Sequence, residues 1–311
     1  MNNLSKWNQL FCKNKTPVYR INDYGDVEIT IKRDELNHSI IQGNKLRKLK
    51  YNILYALENN KSYIATFGGA WSNHIIATAK AAMLCNLKSI GFIRGDELQG
   101  KPQLWSNTLQ RANDMGMEFV FLSRKEYRLK QQSKLVNLAV LDRINDVYFV
   151  PEGGSNLLAL QGVSEIISEL KSQIPAPTHI ITPCGTGGTM AGLIEGVAMS
   201  QWDTKIIGVP VLKNALFIRN DMVKLISKEI KVDWQLYTEY HFGGYAKYNQ
   251  DLRQFGLKFI NNTGIDLDKV YTVKSFYAAY DLIDKGEIPP KSRLLLLHTG
   301  GLQGGSIIDA N

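Results

Sequence analysis

Residues 179–192 read HIITPCGTGGTMAG, a strand-like apolar segment that runs directly into a loop with four glycines. A glycine-rich turn between a strand and a helix exposes consecutive backbone N–H groups at the positive end of the helix dipole. Such groups bind anions, and phosphate is their natural occupant. A plain tight turn is the alternative, but four glycines and two threonine hydroxyls in eight residues favour a phosphate site.

The loop does not match the two common nucleotide-binding patterns. No Gly-Lys-Ser/Thr ends it, so it is not a P-loop. The position of the third glycine in a dinucleotide fingerprint is Met190, and no acidic residue ends the next predicted strand. The sequence therefore predicts a phosphate site outside those two classes.

The rest of the chain alternates between short apolar segments and amphipathic stretches. Continuous apolar strands that alternate with helices indicate α/β architecture, with parallel-rich open sheets and helices on both faces. Helices are predicted over residues 49–57 and 75–84. Strands are predicted over residues 27–32, 62–66, 88–93, 117–122, 147–150, 179–182, 205–211 and 293–297.

These strands fall into two groups, which predicts two domains. The four strands between residues 62 and 150 are expected to form a small α/β domain over residues 49–154. The other strands are expected to form a large domain from residues 1–48 and 155–311, which is therefore discontinuous in sequence. Residues 27–32 alternate in polarity, so we expect this strand at the edge of the large sheet.

Composition narrows the class of protein. The 311 residues are 44% hydrophobic and 21% charged, which is ordinary for an α/β protein. No apolar segment approaches the roughly 20 residues that cross a bilayer, and the first residues contain no signal-peptide core. We therefore expect a cytoplasmic protein without membrane partners. Cys12, Cys85 and Cys184 are widely separated, so we expect reduced thiols, Cys184 as a buried filler, and no metal site.

The formal net charge of +8 raises the question of a nucleic-acid partner. Basic residues crowd in segments 45–50 and 124–130, which read KLRKLK and RKEYRLK. No helix-turn-helix spacing, zinc finger or RNP-type aromatic pattern accompanies them. We therefore expect no nucleic acid, and interpret the charge as a solvated surface that also attracts anionic ligands.

Two further segments could carry chemistry. Residues 43–48 read GNKLRK, and three cations at the start of a helix are unfavourable unless an anion compensates them. Residues 67–74 read FGGAWSNH, where two glycines let the backbone approach a ligand and helix-start N–H groups could hold a carboxylate. The simpler alternatives are a polar turn in the first segment and a helix cap by Ser72 or Asn73 in the second.

Together these segments resemble the fold-type II pyridoxal-phosphate (PLP) enzymes, and within them the 1-aminocyclopropane-1-carboxylate (ACC) deaminase and D-cysteine desulfhydrase group. The resemblance covers nearly the whole chain and implies a two-domain, tryptophan synthase β-like fold. Residues 43–48 resemble the cofactor-lysine motif, 72–74 the substrate-carboxylate motif and 185–189 the phosphate loop. Further matches follow in the family's order at residues 152–156, 270–274 and 298–301.

The resemblance implies roles in cofactor binding. Lys45 would carry PLP as a Schiff base, with its pKa lowered by Arg47, Lys48 and partial burial. Lys48 would also join the loop in holding the cofactor phosphate, and Asn73 would bind the pyridine 3-oxygen. The matching loop residues are Gly185, Thr186, Gly187, Gly188 and Thr189.

Substrate roles are implied in the same way. Ser72, together with the backbone of Asn73 and His74, would grip the substrate carboxylate. A helix-start histidine is more often structural, so His74 is a weaker candidate for a general base. Tyr271 would lie against the cofactor ring, and Tyr245 would reach the substrate.

Four positions bear on which substrate is used. The family usually has glutamine where Trp71 stands and glycine where Val273 stands, so we expect the substrate pocket to differ from that of the family. Thr272, expected to face the pyridine nitrogen, replaces the glutamate of the deaminases, and Thr299 replaces their leucine with the threonine of the desulfhydrases. A neutral hydroxyl cannot keep that nitrogen protonated as a carboxylate does. We therefore expect β-elimination from D-cysteine, giving pyruvate, ammonia and sulfide, to exceed cyclopropane opening.

Several functions stay open at this point. ACC deamination, or a serine-type dehydration or racemisation on the same fold, are the enzymatic alternatives, because a fold does not fix its reaction. A basic anion- or nucleic-acid-binding protein is the non-enzymatic alternative. The resemblance also implies a homodimer acting on a small amino acid.

Overall fold

The computed structural model describes residues 3–11 and 15–309, in which helices and strands alternate along the chain. The strands are β1 Val18–Arg20, β2 Glu28–Lys32, β3 Tyr63–Gly69, β4 Lys88–Arg94, β5 Met117–Leu122, β6 Val147–Val150, β7 His179–Cys184, β8 Lys205–Pro210, β9 Trp234–Leu236 and β10 Arg293–Leu297. The α-helices are α1 Asn3–Gln9, α2 Asn44–Glu58, α3 Asn73–Leu84, α4 Asn107–Asp114, α5 Arg124–Leu129, α6 Lys134–Ala139, α7 Leu157–Leu170, α8 Gly188–Ser200, α9 Phe217–Leu225, α10 Gln250–Thr263 and α11 Thr272–Asp284. The alternation of these elements confirms the predicted α/β class.

The described residues divide into two compact units. The smaller unit contains the described part of Met1–Asn14 together with Leu49–Leu158, and the larger unit contains Lys15–Lys48 and the described part of Ala159–Asn311. The sequence assigned residues 1–48 to the large domain, but α1 belongs to the smaller unit. The reason is packing: Trp7 is fully buried, and its indole Nε1 donates to the carbonyl oxygen of Lys50 at 3.0 Å.

The smaller unit is built on a parallel sheet of order β5-β4-β3-β6. One face carries aromatic side chains, with the rings of Phe67 and Phe92 stacked 5.1 Å apart. The other face buries Ile93 against Ile75 of α3 and Leu109 of α4. Because both faces are covered, the strands read as continuous apolar runs.

The larger unit is built on a sheet of order β1-β2-β10-β7-β8-β9, parallel except where β1 pairs antiparallel with β2. The leucines of β10 explain how this sheet is covered. Leu294 and Leu296 belong to one core cluster, which includes residues of α10 and α11. Leu295 and Leu297 belong to the other, which includes residues of α7 and α8. Successive strand residues point to opposite faces, so an unbroken leucine run fits a central strand.

Two local predictions need correction. The segment 27–32 was expected at the sheet edge, but β1 pairs with β2 and covers that edge, so four of the five residues of β2 are buried. The helix expected over residues 49–57 begins at Asn44, so Lys45 and Lys48 lie inside α2.

Cys85 and Cys184 are buried free thiols, while Cys12 lies outside the described residues. Within the described ranges, no helix is long and apolar enough to cross a membrane.

Candidate active site

The glycine loop joins β7 to α8 in the larger unit, as the sequence predicted. Gly187 adopts a left-handed conformation with φ of 76°, and a Cβ there would lie 2.5 Å from Met222 Cγ. Only glycine fits this position without a shift of α9. Gly188 and Thr189 form the first turn of α8, whose leading N–H groups have no partner within the helix itself. The loop is therefore shaped as an anion cradle.

The cofactor-lysine motif meets this loop through Asn44. The Asn44 side chain donates from Nδ2 to Thr189 Oγ1 at 2.8 Å, and Lys45 Nζ donates to Asn44 Oδ1 at 3.2 Å. Asn44 thus links Lys45 to the first turn of α8. No role for this asparagine could be predicted from the sequence, because its partner lies 145 residues away.

Gly43 brings Thr299 to the same place. A Cβ on Gly43, whose φ is 60°, would lie 2.0 Å from the Thr299 carbonyl oxygen, and that oxygen accepts from Asn44 N at 3.2 Å. The start of α2 therefore packs directly on the segment after β10, where His298, Thr299 and Gly300 lie. This contact explains why a glycine precedes Asn44 and Lys45.

Burial controls the charge of the two lysines. Lys45 is half-buried, yet the protein around its ammonium lowers its pKa to about 8, against a weaker opposing attraction from Asp268. Lys48 is 2% exposed, and burial followed by repulsion from Lys45 lowers its pKa as well. Cys184 lies close enough to Lys48 for the two to interact, but burial raises the pKa of its thiol to about 12. Cys184 is therefore a protonated filler, not a reactive thiolate.

Arg47 was expected from the sequence to lower the pKa of Lys45, but it is not among the causes of that shift. Its guanidinium pairs with Asp34, at 2.7 Å between Nη2 and Oδ1, and with Glu169 of α7. Lys32 Nζ joins the same cluster by donating to Glu169 Oε2 at 2.8 Å. These carboxylates compensate the charge of Arg47, and burial is the cause that lowers the pKa of Lys45. The cluster instead fixes the start of α2 to β2 and α7.

Asp268 organises the residues that precede and begin α11. Its carboxylate is 1% exposed and accepts from the backbone N–H groups of Val270, Tyr271 and Thr272 at 2.8–2.9 Å. Thr272 Oγ1 also donates to Asp268 Oδ1 at 2.6 Å. The hydroxyl proton of Thr272 is thereby committed, so toward any other group this oxygen is only an acceptor.

Both predicted tyrosines lie in this region. A Cβ on Gly185 would be 3.4 Å from Tyr271 Cε1, so the Tyr271 ring packs against the glycine loop. The Tyr245 and Tyr271 rings lie edge to face with centroids 6.0 Å apart. The larger unit thus brings together eleven of the residues predicted from the sequence: Lys45, Lys48, Gly185, Thr186, Gly187, Gly188, Thr189, Tyr245, Tyr271, Thr272 and Thr299.

The remaining predicted residues form a second group in the smaller unit, at the start of α3. Ser72 caps this helix, because its Oγ accepts from His74 N at 3.2 Å, and Asn73 is the first helical residue. A Cβ on Gly68 would lie 2.5 Å from Ile75 Cγ1, so glycine is required beside this turn. The backbone here can approach a small anion closely.

His74 is held by a hydrogen bond that favours a structural role. Its Nε2 lies 2.9 Å from Thr66 Oγ1, and Thr66 Oγ1 donates its own proton to the carbonyl oxygen of Val150 at 2.9 Å. His74 Nε2 must then be the donor to Thr66. Trp71, by contrast, is 60% exposed and not packed into this unit.

The larger unit's group fits an anionic, phosphate-bearing cofactor. A close-packed glycine loop, a helix start and two lysines concentrate positive potential at one place. Within the described ranges Lys45 forms no ion pair, so an incoming anion would not have to displace a carboxylate. No cluster of His, Cys, Asp or Glu suited to a metal ion occurs in the part of the chain that the structure describes.

Comparisons with known proteins agree with this fit. The model of the family described as "Pyridoxal-phosphate dependent enzyme" matches residues 11–300. A putative ACC deaminase of Pyrococcus horikoshii is 31% identical over 89% of this chain and 85% of its own length. A mitochondrial bifunctional D-cysteine desulfhydrase/ACC deaminase of Arabidopsis thaliana is 30% identical over 93% of this chain and 77% of its own length. The crystal structure of an ACC deaminase homologue superposes with a TM-score of 0.81 at 27% identity, covering 97% of this chain and 96% of the other.

Proposed function

Because this chain belongs to the pyridoxal-phosphate-dependent enzymes, in the group that contains the ACC deaminases and D-cysteine desulfhydrases, we propose that it catalyses β-elimination from a small D-amino acid. D-cysteine is the proposed substrate, and pyruvate, ammonia and sulfide are the products. When bound, PLP supplies a conjugated ring that takes up electrons from the bonds at the substrate Cα.

One observation carries the choice of β-elimination. At the position where the deaminases of this group have glutamate, this chain has Thr272, whose hydroxyl donates to Asp268 at 2.6 Å. A threonine hydroxyl carries no charge, so Thr272 cannot hold a ring nitrogen protonated by its own charge as a glutamate would. Asp268 behind it already accepts four hydrogen bonds from residues 270–272. Cyclopropane opening needs more electron withdrawal than expulsion of a thiol from Cβ.

The residues of the larger unit are assigned as follows. Lys45 would bind the cofactor covalently until the substrate amine displaces its Nζ. The freed Nζ, with its pKa near 8, is neutral in part at physiological pH and can then accept a proton from the substrate Cα. Lys48 and the loop residues 185–189 hold the phosphate. Tyr271 supports the ring, and Thr272 faces its nitrogen.

The substrate roles follow the resemblance to the family. Ser72, with the backbone of Asn73 and His74, binds the substrate carboxylate at the start of α3, while the Asn73 side chain binds the pyridine 3-oxygen. Tyr245 and Thr299 contact the substrate. The support for these roles is the capped helix start with its required glycine and the resemblance to the family.

Steady-state assays of the purified protein test this proposal. Formation of the 2-oxo acid is measured with D-cysteine, L-cysteine, ACC, D-serine and L-serine. The 2-oxo acid is pyruvate from the cysteines and serines and 2-oxobutanoate from ACC, and sulfide or ammonia is measured as the second product. We expect D-cysteine to give the highest kcat/KM. Turnover of ACC with none of D-cysteine would contradict the proposal.

ACC deamination is the second candidate function, and the relatives favour it. Putative ACC deaminases from Pyrococcus and Thermotoga species are 28–32% identical over about nine-tenths of this chain. The same assay separates the two, because ACC yields ammonia and no sulfide. Preferential turnover of L-serine would indicate a serine-type dehydratase instead.

Other properties of the protein stay predictions. A yellow purified protein is expected from bound PLP, whereas a colourless protein that binds DNA or RNA would support the nucleic-acid alternative. We expect a homodimer, which light scattering of the purified protein tests. We also expect a cytoplasmic location, which cell fractionation tests.

A further inference from the structure

Lys274 is a buried lysine on α11 that the proposed chemistry does not use. Its side chain is 0% exposed, and its Nζ donates to the carbonyl oxygens of His241 and Gly244 at 2.8 and 2.7 Å. Among the residues that the structure describes, no carboxylate pairs directly with this ammonium, and Asp268 attracts it only from a longer distance. A buried charge is costly unless its hydrogen bonds are satisfied. The two hydrogen bonds to carbonyl oxygens therefore compensate the cost of burying the charge of Lys274.

Both carbonyls belong to a sharply bent turn, residues 241–246, that carries Tyr245. Four of its residues have positive φ: Phe242 at 50°, Gly243 at 91°, Gly244 at 119° and Ala246 at 55°. Phe242 and Ala246 lack the conformational freedom of glycine, so this backbone is strained at two places. Such a conformation persists only where its surroundings hold it.

One face of α11 supplies those surroundings. Lys274 and Tyr277 are three residues apart and therefore adjacent on the helix surface. Lys274 holds the two carbonyls, and the Tyr277 ring packs edge to face on Phe242 with centroids 5.0 Å apart. The same helix begins directly after Tyr271, whose ring contacts Tyr245. Tyr245 is itself 39% exposed, so burial does not fix its position.

We propose that Lys274 is a positioning residue, which holds Tyr245 beside Tyr271 by tying the strained turn 241–246 to α11. The proposal rests on the proposed function, because Tyr245 is assigned there to the substrate side. Lys274 acts through the turn and contacts neither substrate nor cofactor. Its ammonium is needed because a neutral methylene chain of the same length offers no donor to the two carbonyls.

Hydrogen exchange of the intact protein tests the mechanical part of this proposal. We compare Lys274→Met with Lys224→Met, a control on α9 whose lysine is exposed and pairs with Asp221. Amides of residues 242–247 are expected to exchange about tenfold faster in Lys274→Met than in the wild type, with and without cofactor, and to be unchanged in Lys224→Met. If the amides of this turn exchange at the wild-type rate in Lys274→Met, the proposal is overturned. If Lys274→Met does not fold, Lys274→Leu replaces it with the same expectation, because leucine also has no donor for the two carbonyls.

A double-mutant cycle tests whether Lys274 acts through Tyr245. A small misplacement of a catalytic group can cost on the order of 10²-fold in rate, so Lys274→Met should lower kcat by about that factor and change KM less. In a Tyr245→Phe background the further loss should shrink to a few-fold, because residues that act as a unit are not additive. Equal losses in both backgrounds overturn the proposal. The exchange result does not depend on which amino acid is the substrate, so a failed substrate assignment is recognised separately.

Discussion

Lys45 is the residue on which the proposed chemistry depends, and its replacement gives the most direct test. Lys45→Ala should abolish covalent attachment of the cofactor without unfolding the protein, because the side chain donates only to Asn44 within the described structure. Borohydride reduction followed by peptide mapping should place the label on Lys45 in the wild type and nowhere in the variant. Lys50→Ala, a few residues further along α2, is the control and should label normally. Label on Lys48 in the wild type would show that the assignment is wrong.

The pKa of Lys45 gives a second prediction at this scale. Burial lowers that pKa to about 8, so between pH 8 and the ordinary lysine value of roughly 10.4 the residue is neutral in the folded protein and charged in the unfolded chain. The neutral, nucleophilic amine of Lys45 therefore appears at lower pH than that of an exposed lysine. Burial of the charged amine destabilises the folded protein, and this cost disappears above roughly pH 10.4, where the lysine is neutral in both the folded and the unfolded state. An amine-directed label on the cofactor-free protein, followed by peptide mapping across pH 6–11, should show half-maximal reactivity of Lys45 near pH 8. Exposed Lys258 of α10 serves as the reference, and equal midpoints for the two would contradict the burial argument.

Single residues were predicted from the sequence only where a local motif marked them. Lys45 and Gly187 stand in recognisable segments, whereas Asn44, Asp268 and Lys274 have roles that come from contacts across the fold. Asn44 meets Thr189, and Lys274 meets a turn about thirty residues earlier. No periodicity in the sequence indicates such contacts, because they exist only after the elements pack.

Among the elements, the turn from β7 into α8 makes a sharp prediction. Gly187→Asp should remove cofactor binding, because its Cβ would meet Met222 and its carboxylate would repel phosphate. Gly264→Asp is the matched control: Gly264 also has positive φ, at 68°, but a Cβ there meets nothing within 4 Å. Absorbance of bound PLP after dialysis measures the loss, and full occupancy in Gly187→Asp would show that the loop is not the phosphate site.

Strands were predicted better than helix starts, for physical reasons. Residues 117–122, 147–150 and 293–297 were predicted with the bounds that β5, β6 and β10 have. In β10 the reason is that four successive leucines are buried on both faces of the sheet. β5 and β6 are edge strands and only partly buried, but they still consist mainly of apolar residues. β1 and β9 have three residues each at the sheet edges and are only partly buried, so their composition carries little signal. The start of α2 was predicted five residues too late, because its first turn is basic and a basic first turn is unfavourable in a helix. Contacts across the fold stabilise that turn: Gly43 packs on Thr299, and Arg47 pairs with Asp34 and Glu169.

At the scale of the whole molecule, the net charge of +8 predicts that the association rate of PLP depends on salt concentration. Oppositely charged ligands associate faster with a charged protein, and salt screens this attraction over roughly 10 Å at 0.1 M. Stopped-flow mixing of the cofactor-free protein with PLP should therefore show an association rate that falls several-fold between about 20 and 300 mM salt. Pyridoxal, which lacks the phosphate, is the control and should show a weaker dependence. Identical salt dependence of the two would mean that the charge of the protein does not steer the phosphate.

The order of strands in the large sheet also decides when the protein can fold during translation. β2 pairs with β10, and their paired residues are separated by 265 positions, since Glu28 lies beside Arg293. Residues 49–158 of the smaller unit can leave the ribosome as one uninterrupted stretch. The larger sheet, however, lacks its central strand β10 until residue 297 is synthesised. One edge of β2 therefore stays unpaired for most of the synthesis time, and one edge of β7 for about a third of it. Exposed strand edges are sites of aggregation. A ribosome that stalls or terminates before β10 therefore releases a chain with one complete unit and one open sheet, and such chains are expected to be the principal source of misfolded product.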